Sequence, residues 1–172
     1  ESCITMGNSW SYVPNDEYKS ANKIVHMLLR IISRGGNLLL NIGPSPNGDF
    51  SDTAYDRLRD IGSWMKVHEE AVYETKPLAP YEDGNVLYLQ SKDKKTVFVY
   101  VLSDDKNDDV VLPASVSLKN IALSKKSKVV YMDAPNEKIK FQTTEGATIL
   151  NIPAKLQNKI AGKYAVSFKI VL

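Results

Sequence analysis

A chain of 172 residues with 43% hydrophobic side chains can bury a core in one domain or two small ones, and its composition is not that of a disordered chain. Lys+Arg 22 against Asp+Glu 20 leaves a net charge of +2, which argues against a basic nucleic-acid-binding face; Lys125-Lys126 with Lys128 is the densest basic stretch and reads as a solvated turn. The single cysteine, Cys3, excludes an internal disulfide and argues against a cysteine-built zinc site, and no apolar run approaches the ~20 residues of a membrane-spanning helix.

The chain opens on Glu1 rather than Met, so the expectation is a processed, trimmed or excerpted sequence; no signal peptide is visible. Cys3-Ile4-Thr5 reads as the tail of a strand, and Gly7-Asn8-Ser9 as turn chemistry. Trp10 and Tyr12 then fall in a loop. Each is either an anchor packed on the body or an apolar wall of a ligand pocket. Residues 15–34 predict a helix capped by Asn15 or Asp16, with Ile24, Val25, Leu28, Leu29 and Ile32 on one face and Gly35 as a left-handed stop. His26, alone on that helix, reads as a packed or solvated residue.

Residues 37–42 carry the unbroken triplet Leu38-Leu39-Leu40, too short for a helix and not alternating. A strand of this kind is expected to be covered on both faces, as parallel strands flanked by helices are. The loop after Gly43-Pro44 has neither phosphate-loop nor dinucleotide glycine spacing. A second helix is predicted over about 52–68, capped by Ser51 or Asp52, with Leu58, Ile61, Gly62 and Met65 inside. Gly62 costs such a helix ~1 kcal/mol against alanine, which points to close approach of another backbone. Trp64 reads as a packing residue. His68-Glu69-Glu70 lacks the second histidine of a zinc motif.

Residues 75–84, with Pro77, Pro80 and Gly84, mark a boundary that divides the chain into 1–76 and 77–172. Beyond it the period changes to two. Strands are expected at 86–91, 96–102, 109–112, 116–123, 128–132, 138–143, 147–152 and 163–171, with turns between them. Short strands spaced in this way predict an antiparallel β-sandwich. No cluster of chemistry-bearing residues stands out in that half.

Strand, helix, strand, helix in the first half fits α/β architecture, specifically the closing segment of a (β/α)8-type, TIM-like barrel. Such barrels work at the C-terminal ends of their strands. That expectation puts Glu1 with its following loop, and Asn41-Ile42-Gly43, on the functional face, and Gly35-Gly36 on the opposite one.

Several strings carry a resemblance. They are Glu1-x-Cys3-x-Thr5, Ser9-Trp10-Ser11-Tyr12, Gly35-Gly36-Asn37-Leu38-Leu39-Leu40-Asn41-Ile42-Gly43-Pro44, Gly48, Arg57-Leu58-x-x-Ile61-Gly62-x-Trp64 and Glu70-Ala71-Val72-Tyr73-x-Thr75. In order and spacing they resemble the end of the catalytic barrel of family 29 glycoside hydrolases, the α-L-fucosidases, over about residues 1–76. The β-half resembles the C-terminal sandwich of those enzymes in position and pattern, weakly in residues. Ser11 stands where the family usually has Gly between the aromatics, beside the expected sugar pocket. Glu69 stands where Gly usually precedes the Glu-Ala pair, at the expected helix end.

The resemblance implies hydrolysis of terminal α-linked L-fucose from glycoconjugates with retention, by two carboxyl groups. The family's nucleophile, an Asp on an earlier strand, matches no position here, so the rest of the barrel is needed as a partner and the isolated chain is expected to be inactive. Glu1 is the candidate catalytic residue, either donating a proton to the leaving oxygen or holding a neighbour in place. Trp10 and Asn41 are the candidate substrate-binding residues. The resemblance implies no metal or organic cofactor, a fucosylated glycan as substrate, no nucleic acid or membrane partner, and an exported (periplasmic or extracellular) or lysosomal location. Two other readings stand beside it. In one the β-half binds carbohydrate through Tyr81, Tyr88, Tyr100 and Tyr131; in the other the chain is a scaffold without activity.

Overall fold

The computed structural model describes residues 1–172 and falls into an α/β part followed by antiparallel sheets. The first part runs β1 (Ser2–Thr5), α1 (Ala21–Ser33), β2 (Leu38–Asn41) and α2 (Asp52–Tyr73). β1 and β2 form a two-stranded parallel sheet in which Ser2 lies beside Leu38 and Thr5 beside Asn41.

α1 begins later than the sequence pattern suggests. Its cap is Ser20, whose hydroxyl accepts the Lys23 N–H, and the six residues before Ala21 are not helical. Their polar groups serve the preceding loop instead: the Asp16 carboxylate accepts the Asn8 N–H at 3.0 Å, and Asn15 sits at φ 57°. The helix ends as expected, with Gly35 at φ 82°. Ile24, Val25 and Leu29 are buried on its inner face.

α2 is capped by Ser51 and runs five residues past the expected end, to Tyr73. Glu69 therefore lies inside the helix and not at its terminus, where glutamate is a better helix former than glycine. The buried stripe is Ala54, Trp64, His68, Ala71 and Val72; Leu58 is exposed. Gly62 does not meet another backbone, since a Cβ there finds nothing within 4 Å. Gly62→Ala is accordingly expected to stabilise the fold by up to ~1 kcal/mol, readable as a higher urea midpoint.

The second part holds β3 (Thr75–Asp83), β4 (Val86–Ser91), β5 (Thr96–Leu102), β6 (Asp109–Val111), β7 (Ser115–Lys119), β8 (Lys128–Tyr131), β9 (Lys140–Thr144), β10 (Ala147–Asn151), β11 (Ile160–Lys163) and β12 (Ala165–Val171). Five of these form one antiparallel sheet in the order β3-β4-β5-β12-β8; smaller sheets β7-β10-β9 and β11-β6 complete a β-sandwich-like half. Residues 75–83, read from the sequence as a boundary, are the edge strand β3. An edge strand tolerates Pro77 and Pro80 because one side of its backbone needs no partner, and its pairing with β4 is irregular between Pro77 and Glu82.

The five-stranded sheet is the centre of the molecule. Val86, Tyr88, Val97, Val99, Val101, Val166, Phe168 and Ile170 point to the smaller sheets and meet Val116, Leu118 and Leu150. The alternate residues Leu87, Leu89, Phe98, Tyr100, Leu102 and Ala165 point the other way and pack on Val25, Leu29, Trp64 and Val72 of the two helices. Both faces are apolar, so the strand residues are buried without a polar alternation. No helix is long and apolar enough to cross a membrane.

Polar clasps bind helices to sheets. Glu82 of β3 accepts from Arg30 Nε at 3.0 Å and from Arg34 Nη2 at 2.5 Å. Burial pushes the Glu82 carboxyl up, but the hydrogen bonds and charges of the two guanidiniums outweigh it and hold the group below its ordinary 4.5. A depressed folded-state value means the clasp stabilises fully above pH 4.5 and is lost as the pH falls through the lower value. Both arginines are partly in water, so screening holds the contribution to about 1 kcal/mol. Glu82→Gln is expected to lower stability by that amount at pH 7, with the gap to wild type closing in acid, as measured by urea titration across pH.

Candidate active site

The C-terminal ends of β1 and β2 carry the loops of interest. Met6, fully buried between β2 and the helices, donates its N–H to Asn41 O at 2.8 Å and ties the two strand ends together. The chain then leaves β1 in a long loop. Trp10 rides on it with 57% of its surface exposed, too open for a core anchor. Asn41 reaches across from the end of β2, and its Nδ2 donates to Trp10 O at 2.9 Å. Asn41 thereby orients the main chain that carries the indole. Its neighbour Gly43 lets the loop close: a Cβ there would stand 2.5 Å from Tyr12 N and 2.6 Å from Ser11 C. Ser11 thus lies in the tightest part of the loop.

An open groove of about 350 Å³ runs along this end, lined by Cys3, Trp10, Leu39, Leu40, Asn41, Ile42 and Phe50. Phe50 was not singled out from the sequence. Its signal was its place just before the cap Ser51, where it can staple the helix start; its ring lies 5.7 Å from that of Tyr55. The groove draws Leu39 and Asn41 from one face of β2 and Leu40 and Ile42 from the other. Leu40 and Ile42 pack against Met6, Ile24 and Ala54 on the helix side. Cys3 and its partner Leu39 are exposed, Leu39 by 50%. Within this chain the helices cover one face of β2 and the other is bare, because two strands provide no third layer.

Trp10 and Asn41 are thus brought together, and Glu1 is not with them. It precedes β1, is exposed, and lies level with Asn37, since Ser2 N donates to Asn37 O at 2.7 Å. Four residues of extended chain, about 13 Å, separate it from Thr5 beside Asn41. The expectation that Glu1 shares an end of the sheet with Asn41 is corrected by this register.

Neither histidine reaches the groove. His26 is buried, with Nε2 2.8 Å from Tyr164 O and Nδ1 3.1 Å from Asp105. His68 stacks on Trp64 at 4.3 Å and faces Asp133 at 3.3 Å. Both pin helices to the antiparallel half. Of the tyrosines considered as a carbohydrate platform, Tyr88, Tyr100 and Tyr131 are core residues, at most 1% exposed; only Tyr81 is on the surface. Burial raises the hydroxyl pKa of all three, with Asp133 adding to it for Tyr100 and Tyr131. A sugar platform built on them is ruled out by their burial.

An α/β segment with loops at its strand ends, backed by antiparallel sheets, recurs in solved structures. An α-L-fucosidase isoenzyme from Paenibacillus thiaminolyticus matches with a TM-score of 0.80 at 21% identity, covering 99% of this chain and 39% of its own. The Thermotoga maritima α-fucosidase, solved in complex with fucose, matches with a TM-score of 0.77 at 24% identity, covering 98% and 38%. At these identities the likeness is one of fold. Sequence takes it further. Residues 1–70 match the alpha-L-fucosidase family profile. Human plasma alpha-L-fucosidase is 37% identical over 109 residues, 59% of this chain and 23% of that protein. The Dictyostelium discoideum alpha-L-fucosidase is 27% identical over 162 residues, 89% of this chain and 34% of that protein. Residues 1–70 thus carry the profile of the α-L-fucosidase family, and the chain spans between about a quarter and a third of the length of these curated relatives.

Proposed function

We propose that this chain is the C-terminal part of a retaining α-L-fucosidase that removes terminal α-linked L-fucose from glycans. In this reading residues 1–76 close a (β/α)8 barrel and residues 77–172 form its β-sandwich domain. The observation that carries it is the bare face of β1 and β2 at Cys3 and Leu39, in the very segment that matches the family. A two-stranded parallel sheet with Leu39 in water is half of a layer, and parallel sheets are stable when covered on both faces. Further barrel strands are the fitting cover. The groove at the strand ends then becomes the pocket wall: Trp10 offers a flat apolar surface to the sugar ring and its methyl group, and Asn41 fixes the loop that presents it.

Retention needs two carboxyl groups ~5–5.5 Å apart. The groove has none among its lining residues, so the reaction draws them from outside it. Glu1 is this chain's candidate; its distance from Asn41 along the strand favours holding a neighbour over donating the proton. The protein is proposed to act outside the cytosol or in lysosomes, in keeping with relatives named as plasma enzymes.

The test is release of the aryl group from an aryl α-L-fucoside by the full-length protein. Turnover is expected, and Trp10→Ala is expected to lower kcat/KM by about 10- to 100-fold, chiefly through KM, because a surface aromatic is lost without disturbing the core. No release of fucose by the full-length enzyme ends the proposal. Turnover by the 172-residue chain alone would show that the outside carboxylates are not needed.

A further inference from the structure

The loop carrying Trp10 leaves β1 at Thr5 and returns at Lys19, and Lys19 closes it. The Lys19 ammonium donates to Thr5 O at 2.7 Å and to Gly7 O at 2.9 Å, and its backbone N–H donates to Met6 O at 2.8 Å. One residue thus donates to three successive carbonyls at the end of the strand. Thr5 Oγ1 adds a bond to Gly7 O at 2.6 Å, and no carboxylate competes for the ammonium within 4.0 Å. Bonds from a charged donor are roughly twice as strong as neutral ones. Beside this clasp, Asp16 Oδ2 takes the Asn8 N–H, and Gly7 has no side chain because Asp16 fills that space: a Cβ on Gly7 would stand 2.1 Å from Asp16 Oδ2. Trp10 begins only three residues beyond Gly7.

We propose that Lys19 is a positioning residue for the fucosidase site: it holds the base of the loop so that Trp10 lies along the groove. The inference rests on the proposed function for its kinetic consequence, but the clasp itself is a property of the loop. Lys19 touches main chain and not the groove, so it acts through Trp10 and its loss shows in KM rather than in kcat. A methionine keeps the length and the apolar stem while leaving Thr5 O and Gly7 O without their donor.

The experiment compares Lys19→Met, Lys19→Gln and the neighbouring exposed Lys23→Met in the full-length protein. KM and kcat on an aryl α-L-fucoside are measured beside the rate of proteolytic cleavage within residues 8–18. Lys19→Met is expected to raise KM about 10-fold with kcat within about 3-fold, and to speed cleavage of the loop at least 5-fold. Lys19→Gln, which retains one donor pair, falls between, and Lys23→Met matches wild type. Should Lys19→Met not fold, Lys19→Gln carries the test alone with the same directions. Unchanged KM and unchanged cleavage overturn the proposal, as does a loss confined to kcat. If the wild-type protein releases no fucose, the functional reading fails separately; the cleavage rates then still decide whether Lys19 holds the loop, and equal rates in all forms refute it.

Discussion

Trp64→Ala is expected to destabilise the protein by about 3–5 kcal/mol, seen as a drop of roughly 10 °C or more in the thermal midpoint. The indole is 6% exposed and lies where three elements meet. It packs α2 on the central sheet, stacks on His68, and donates Nε1–H to Ala165 O at 2.7 Å. Alanine leaves a void and an orphaned carbonyl together. Trp64→Phe separates the two: it keeps most of the packing and loses the bond, so its cost should be roughly 1–3 kcal/mol. Equal stability of Trp64→Ala and wild type in urea titration would show that α2 is not held by this contact.

Gly43→Ala is expected to act on the site more than on the fold. The new Cβ would meet the backbone at Tyr12 N and Ser11 C, which cannot rotate aside as a side chain can. The loop must lift, and with it Trp10 and the Asn41 bond to Trp10 O. On the proposed activity, the full-length protein is expected to lose about 100-fold in kcat/KM on an aryl α-L-fucoside, with a stability loss of about 1–3 kcal/mol from overpacking. Wild-type kinetics in this variant would show that the loop has slack to spare. Gly62→Ala is the internal contrast, since the same methyl there enters open space.

Most of the antiparallel half is legible in the sequence because turn residues punctuate apolar runs at short intervals. The 96–102 run lies on β5 to the residue. The α1 stop at Gly35 and the Ser51 cap are equally local signals. What escapes is decided by tertiary partners. Residues 15–20 look helical until Asp16 and Lys19 are seen to serve a loop that begins ten residues earlier. β3 hides behind two prolines that only an edge position permits. The triplet at 38–40 reads as a doubly covered strand, yet within this chain the strands wrapped on both faces are β4, β5 and β12, whose antiparallel sheet lies between helices and smaller sheets. Trp10 and Asn41 stand out as candidates through the family motif, and the structure brings them to one groove; Phe50, which lines the same groove and sits at the helix start, carries no motif of its own.

The shared central sheet has a consequence for how the molecule comes apart. Leu87, Leu89, Phe98 and Tyr100 are floor to α1 and α2 on one side, while Val86, Tyr88, Val97 and Val99 are wall to the smaller sheets on the other. Melting either layer strips the middle one of a face. The helices and the antiparallel half should therefore give way in a single cooperative step, and a cut at the covalent boundary near residue 76 would free two pieces that each expose a greasy flank and precipitate rather than two soluble modules.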